Sequence, residues 1–144
     1  MRLFRADASY LDRIYGIEVS SFSDPWSKSS VLSSIVSENM SVYACEYDGC
    51  VCGFITVMKI DNECEILNLA VAPDKRRRKI ADTLLSYAID TMKNSDVGKV
   101  YLEVRSKNLP ARSLYEKYGF IPIGQRPKYY QNPVDDAVLM KKNI

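Results

Sequence analysis

Apolar and polar positions recur along the chain with two periods, and the change from one to the other predicts its elements. Leu3–Arg5 alternates and reads as a short first strand. Leu11, Ile14, Ile17 and Phe22 form a stripe at helical spacing, with Asp7 or Ser9 as cap of a helix reaching about Ser20. Ser23-Asp-Pro-Trp-Ser27 is a loop, and Ser27 caps a second helix carrying Val31, Leu32, Ile35 and Val36. The period then shortens to two. Val42–Tyr47 and Val51–Ile60 are strands joined by Asp48-Gly49, a hairpin turn, and Glu65–Ala72 follows after Asp61-Asn62.

Helical spacing returns from about Ile80 to Lys93, with Leu84, Leu85, Ala88, Ile89 and Met92 on one face. A fifth strand, Val100–Val104, follows Asp96-Val-Gly98. Next comes a short helix, Pro110 to Tyr118, with Pro110 suited to its first turn and Gly119 to its end. Ile121–Tyr129 and Ala137–Lys141 are the last two strands, separated by Asn132-Pro133. The order β-α-α-β-β-β-α-β-α-β-β predicts an α/β fold with a mixed, twisted sheet of about seven strands. Helices cover both faces, and the strand–helix–strand units imply some parallel pairing. No repeat, low-complexity tract or linker divides residues 1–144, so a single domain is expected.

Composition narrows the chemistry. Apolar content of 47% and charged content of 26% are ordinary for a water-soluble protein, and the net charge of +2 creates no field that recruits nucleic acid or membrane. The amino-terminal residues lack the apolar run of a signal peptide, and no stretch nears the roughly 18 apolar residues of a membrane span. A cytoplasmic protein is expected. Cys45, Cys50, Cys52 and Cys64 match neither zinc hooks nor a secreted disulfide framework and read as small apolar residues of a reducing compartment. Histidine is absent. That removes the usual general base and weakens any metal site; none is expected. Acid–base chemistry must use carboxylates, tyrosines, lysines or water.

Charge matters here by clustering. Between the strand ending near Ala72 and the helix beginning near Ile80 lie Lys75, Arg76, Arg77, Arg78 and Lys79. That placement turns several backbone N–H groups and a helix N-terminus toward one spot flanked by cations, an arrangement that binds phosphate. A solvated basic surface or a nucleic-acid patch is the other reading, although no aromatics interleave the cluster.

The order of elements, together with particular residues, resembles the GNAT superfamily of N-acetyltransferases over nearly the whole chain. Within it the resemblance is to the bacterial and archaeal N-terminal (ribosomal-protein) alanine acetyltransferases. It is carried by Phe22-Ser-Asp-Pro-Trp-Ser27, Leu69-Ala-Val-Ala-Pro73, Arg76-Arg-Arg-Lys-Ile-Ala81, Leu102-Glu-Val-Arg105, Asn108, Ala111-Arg-Ser-Leu-Tyr-Glu-Lys-Tyr-Gly-Phe120, Tyr129-Tyr130 and Asp136-Ala-Val-Leu-Met140. Each string is weak alone; together, in this order and spacing, they are specific.

The resemblance implies acetyl-CoA as co-substrate and acetyl transfer to a protein N-terminus by direct attack through a tetrahedral intermediate. The expected acceptor is the terminal alanine of a ribosomal protein. It implies donor contacts from Leu69, Ala70 and Val71, whose main chain pairs with the pantetheine arm, and from Arg76, Arg77, Arg78, Lys79, Ile80, Ala81 and Asp82. The family loop reads Gln/Arg-x-x-Gly-x-Gly/Ala, and this chain departs from it with Lys79 in place of a glycine. If that position needs φ > 0, the lysine costs on the order of 1 kcal/mol. Asn108 resembles the family's donor-contacting asparagine; as an isolated residue it is equally a cap or turn former.

The chemistry asks for little from a base. A peptide α-amino group has a pKa of about 7.7–8.0, so near neutrality roughly a tenth is already unprotonated. Glu103 is the candidate base, projecting away from the core face of Leu102 and Val104; a solvent-facing carboxylate or a salt bridge to Arg105 is the alternative. The resemblance implies Tyr115 as the acid for the departing thiolate, since matching Leu114-Tyr-Glu-Lys-Tyr-Gly-Phe120 to the family motif singles it out over Tyr118, which is expected to pack inward. Tyr115 reads equally as an aromatic anchoring its helix. Trp26, Tyr129 and Tyr130 are candidate walls of an acceptor groove, or core edges. Transfer to a small amine and a non-catalytic acyl-CoA-binding module are the competing functions. A monomer or weak dimer is expected, with no nucleic-acid or membrane partner.

Overall fold

The computed structural model describes residues 1–144. It contains β1 (Arg2–Arg5), α1 (Leu11–Ser21), α2 (Lys28–Val36), β2 (Met40–Tyr47), β3 (Cys50–Ile60), β4 (Glu63–Val71), α3 (Ile80–Lys93), β5 (Lys99–Arg105), α4 (Leu109–Lys117), β6 (Ile121–Tyr130) and β7 (Asp135–Asn143). The expected order of elements holds. All seven strands join one sheet in the order β1-β2-β3-β4-β5-β7-β6. Only β4 and β5 pair in parallel. The strand–helix–strand unit across α4 does not place its strands side by side, because β7 inserts between β5 and β6, antiparallel to both.

Local chemistry explains most element boundaries. The Asp7 carboxylate accepts the Ser9 N–H at 2.9 Å, opening a short 3-10 turn before α1. Ser27 accepts the Ser30 N–H at 3.1 Å and caps α2. Asp48 and Gly49 both take positive φ, 54° and 74°, as a tight turn between antiparallel strands requires. Asn108 caps α4 through the Ala111 N–H at 3.3 Å, and Gly119 at φ 91° ends that helix. One boundary was misread: Phe22 belongs to no apolar stripe but terminates α1, 37% exposed.

Alternation along β2 and β3 divides the interior in two. Cys45, Cys52, Ile55 and Val57 face α3 and α4, joining Leu84, Leu85, Ala88, Ile89, Met92 and Tyr115. Val42, Ala44, Val51 and Phe54 face α1 and α2, meeting Ile14, Ile17, Val31 and Ile35. Helices thus cover both faces. All four cysteines are free thiols, three of them buried. No helix is long and apolar enough to cross a membrane.

The middle of the sheet comes apart. β4 and β5 pair from Glu63↔Lys99 to Ile66↔Leu102 and no further. At that point β4 carries a bulge: Thr56 opposes Asn68 and Val57 opposes Ile66, leaving Leu67 without a partner. A bulge bends its strand. Beyond it, β4 follows β3 while β5 follows β7, and a gap opens through the sheet.

Candidate active site

At one end of the gap is the loop between β4 and α3. Arg77 and Lys79 adopt φ of 65° and 60°, and no side chain caps α3. The N–H groups from Arg76 to Asp82 are absent from the turn and loop hydrogen bonds. A cradle of unpaired amides at a helix N-terminus is thus built from the cationic run. Arg76 folds back, its Nε donating to the Val71 carbonyl at 3.2 Å, and Arg78 lies over the Tyr47 ring at 5.5 Å. The Ile80 side chain is core, leaving only its amide for the cradle. The Asp82 carboxylate is tied to Lys117 and accepts from the Tyr118 hydroxyl at 3.5 Å, which binds α4 to the start of α3.

The orientation of the β4 main chain follows from one bond. Ala72 N–H donates to the Cys52 carbonyl of β3 at 2.7 Å. Amide direction alternates along a strand. Val71 and Leu69 therefore turn N–H and C=O away from β3, into the gap, whereas Ala70 turns its groups toward β3 and buries its side chain. Ala70 supplies packing; Leu69 supplies both edge groups and Val71 its N–H, the Val71 carbonyl being taken by Arg76.

The rest of the gap is a cleft of about 640 Å³, lined among others by Glu65, Asn68, Glu103, Asn108, Tyr115, Tyr129 and Tyr130. Glu103 and Tyr115 reach it from opposite faces of the sheet. Leu102 and Val104 are buried with α3 and α4, while Glu103 projects the other way, its side chain 21% exposed. Its charged neighbour is Arg126, 3.6 Å away, not Arg105. Tyr115 is buried edge-to-face against Phe120, ring centroids 5.8 Å apart. Burial raises its phenol well above the ordinary range, so it stays protonated at any working pH. Of the two helix tyrosines it is the one turned inward, the reverse of the expectation for Tyr118, whose hydroxyl reaches Asp82.

The aromatic walls of the cleft come from one loop and one strand end. Phe22 and Trp26 line the cleft from the α1–α2 loop, and Tyr129 and Tyr130 from the end of β6. The tyrosine rings stand edge-to-face, 5.0 Å between centroids. Burial, then the Glu103 charge, pushes Tyr130 up to about 12; the Glu103 charge is the chief cause of the rise at Tyr129.

A family model described as the acetyltransferase (GNAT) family matches residues 11–120. The Escherichia coli (strain K12) ribosomal protein bS18-alanine N-acetyltransferase is 30% identical over 132 residues, 90% of this chain and 88% of that one. A Bacillus subtilis (strain 168) protein provisionally named for the same activity is 34% identical over 131 residues, 90% and 87% of the two chains. The chain belongs to the GNAT acetyltransferase family. Among solved structures, the ribosomal-protein-S18-alanine N-acetyltransferase from Escherichia coli superposes with a TM-score of 0.94 at 28% identity, covering 99% of this chain and 93% of that one. Ard1 from Thermoplasma volcanium gives 0.88 at 26% identity, covering 99% and 97%.

A GNAT acetyltransferase draws its acetyl group from acetyl-CoA, and the residues present fit that donor. The amide cradle and its cations suit a diphosphate, and the free edge of β4 suits an amide-bearing arm. GNAT motifs led to Glu103, Tyr115, Asn108, Trp26, Tyr129 and Tyr130, and all six meet in one cleft. Those motifs did not lead to Glu18 or Glu65, and they contained Arg105 without giving it a place in the site. Glu18 is 1% exposed with no cation beside it, accepting the Trp26 N–H at 2.9 Å and the Asn68 amide at 2.7 Å. Desolvation raises its pKa, and those two bonds oppose the rise. A carboxylate four positions after Ile14, on the apolar side of α1, was the available signal. Glu65 is raised by burial, then by the Glu103 charge.

Proposed function

We propose that residues 1–144 act as one N-acetyltransferase domain in the cytoplasm, moving acetyl from acetyl-CoA to the α-amino group of a protein chain, with the terminal alanine of a ribosomal protein as acceptor. The observation that carries this reading is the cleft itself. It places Glu103 and Tyr115 on opposite sides of one gap, between a phosphate cradle and a groove walled by aromatic side chains. The names of the Escherichia coli and Bacillus subtilis relatives support the choice of acceptor.

Acetyl-CoA supplies an activated thioester. Arg76 to Ala81 hold its diphosphate with loop amides and positive side chains. Leu69 and Val71 pair with the amide-bearing arm, and the Val71 N–H is a donor for the oxygen that gains charge during transfer. Glu103 takes the proton of the acceptor ammonium, directly or through a water. Tyr115, kept neutral by burial, donates to the sulfur as the C–N bond forms and the C–S bond breaks, and the second proton shed by the acceptor nitrogen restores its phenol. Asn108 holds the start of α4, and with it Tyr115, at the cleft.

The test is incubation with acetyl-CoA and a panel of N-terminal peptides beside small amines, with the modified atom located by fragmentation mass spectrometry. Acetylation of the peptide α-amine is expected. Glu103→Gln and Tyr115→Phe are each expected to lower kcat/KM by about 10²–10⁴. Modification of small amines alone would overturn the acceptor assignment, and undiminished turnover in both variants would remove the two roles.

A further inference from the structure

Arg105 ends β5 at the floor of the cleft, and every contact of its guanidinium lies on the acceptor side. Nη1 donates to the Pro133 carbonyl at 2.7 Å, and Nη2 donates to the Gln131 carbonyl at 2.7 Å. Nη2 also approaches the Ser23 hydroxyl at 3.4 Å, and the plane lies 4.6 Å from the centre of the Tyr130 ring. One side chain thus touches both the β6–β7 turn and the α1–α2 loop. A second tie joins the same segments: the Asn132 amide donates to Asp24 at 3.0 Å.

These ties matter because the turn is otherwise thinly held. β6 leaves its ladder with β7 between Arg126 and Tyr130, and rejoins only at Tyr130↔Asp135. No backbone N–H among the turn and loop bonds satisfies the Gln131 or Pro133 carbonyl. The planar fork of arginine reaches two carbonyls two residues apart while lying flat over the Tyr130 ring; a lysine ammonium is a point charge that cannot hold this fixed geometry. The segments so joined carry Phe22, Trp26, Tyr129 and Tyr130, the walls of the groove.

We infer that Arg105 is a positioning residue for the acceptor: it clasps the β6–β7 turn to the α1–α2 loop and thereby sets the width of the groove that takes the first residues of the acceptor chain. The inference rests on the N-terminal acetyltransferase reading above. It acts on the acceptor alone, because the donor lies against β4, α3 and the Tyr115 face of α4, none of which the Arg105 guanidinium contacts.

The experiment is steady-state kinetics of the full chain and of Arg105→Lys with two acceptors, a hexapeptide beginning with alanine and alanine amide. In Arg105→Lys, KM for the hexapeptide rises about 10-fold, whereas KM for acetyl-CoA and for alanine amide stays within about two-fold. Amide hydrogen exchange accelerates over residues 22–27 and 129–135 and is unchanged over α3. Equal hexapeptide KM values in the two proteins, or an equal rise for acetyl-CoA, overturn the positioning role. A parent protein that acetylates only small amines sinks the N-terminal reading, and the acceptor role of Arg105 with it. Should Arg105→Lys fail to fold, Asn132→Gly breaks the other tie while suiting the φ of 55° at that position, and the same peptide-specific rise in KM is required of it.

Discussion

Lys79 shows how one residue is forced against its preference by its surroundings. Its φ of 60° is the left-handed conformation that the glycine of the family loop adopts without strain. The strain is tolerated because Ile80, next in sequence, is buried, and the Lys79 carbonyl accepts from Thr83 N–H at 3.0 Å and Thr83 Oγ1 at 2.7 Å. Lys79→Gly is expected to stabilise the fold by roughly 1 kcal/mol, read by urea unfolding, and to keep activity with at most a modest change in apparent acetyl-CoA affinity. A second single-residue effect follows from Glu18. Its pKa is raised in the folded protein, so the folded state holds that proton more tightly than the unfolded one. Stability from this group is therefore present at acidic pH and falls as pH rises from the ordinary carboxylate range through the raised folded value. Glu18→Gln removes the buried charge, and a flipped Asn68 amide restores both bonds. A flatter stability–pH curve on its acidic side is expected, measured by denaturant midpoints across pH; an unaltered curve would contradict it.

Among elements, the placement of α3 decides where the proposed diphosphate cradle lies, and the close approach at Gly53 helps set that placement. A Cβ there would stand 3.0 Å from the Ala70 carbonyl oxygen, 3.0 Å from Ile80 and 3.1 Å from Leu84. Gly53→Ala is expected to cost about 1–3 kcal/mol, seen as a lower urea midpoint at unchanged slope. By pushing Ile80 outward it also weakens acetyl-CoA binding. The strands and helices themselves were legible because their signals are local: a turn pair at Asp48-Gly49, a cap at Ser27, an apolar face along α3. The break between β4 and β5 was not. Leu67 bulges inside a run of apolar residues, so the shift in register leaves no mark on the period. Nor was the insertion of β7 between β5 and β6, since partner choice depends on surfaces far apart in the chain. That Glu103 and Tyr115 line one cleft was legible because a motif carried them. Glu18 and Glu65 owe their surroundings to contacts across the fold, as do the partners of Arg105 though a motif carried the residue itself, and Phe22 followed the helical spacing without joining the core.

At the scale of the molecule, two half-sheets, β1 to β4 and β5 to β7, share only the stretch from Glu63↔Lys99 to Ile66↔Leu102. Both helical layers sit mainly on the first half, so the junction is held by those few rungs, by Val100, Leu102, Val104 and Met140 packing into the core under α3, and by the Lys117–Asp82 pair. With Leu69 and Val71 serving the donor as proposed, the missing rungs are made by something that comes and goes. Coenzyme A stripped of its acetyl group keeps every part that makes them. The spent molecule is thus expected to compete with the fresh one at nearly equal strength, visible as competitive inhibition by free coenzyme A with a constant close to the KM of acetyl-CoA. A sheet finished by its own substrate is finished equally well by the remnant, which has to leave before the next round can begin.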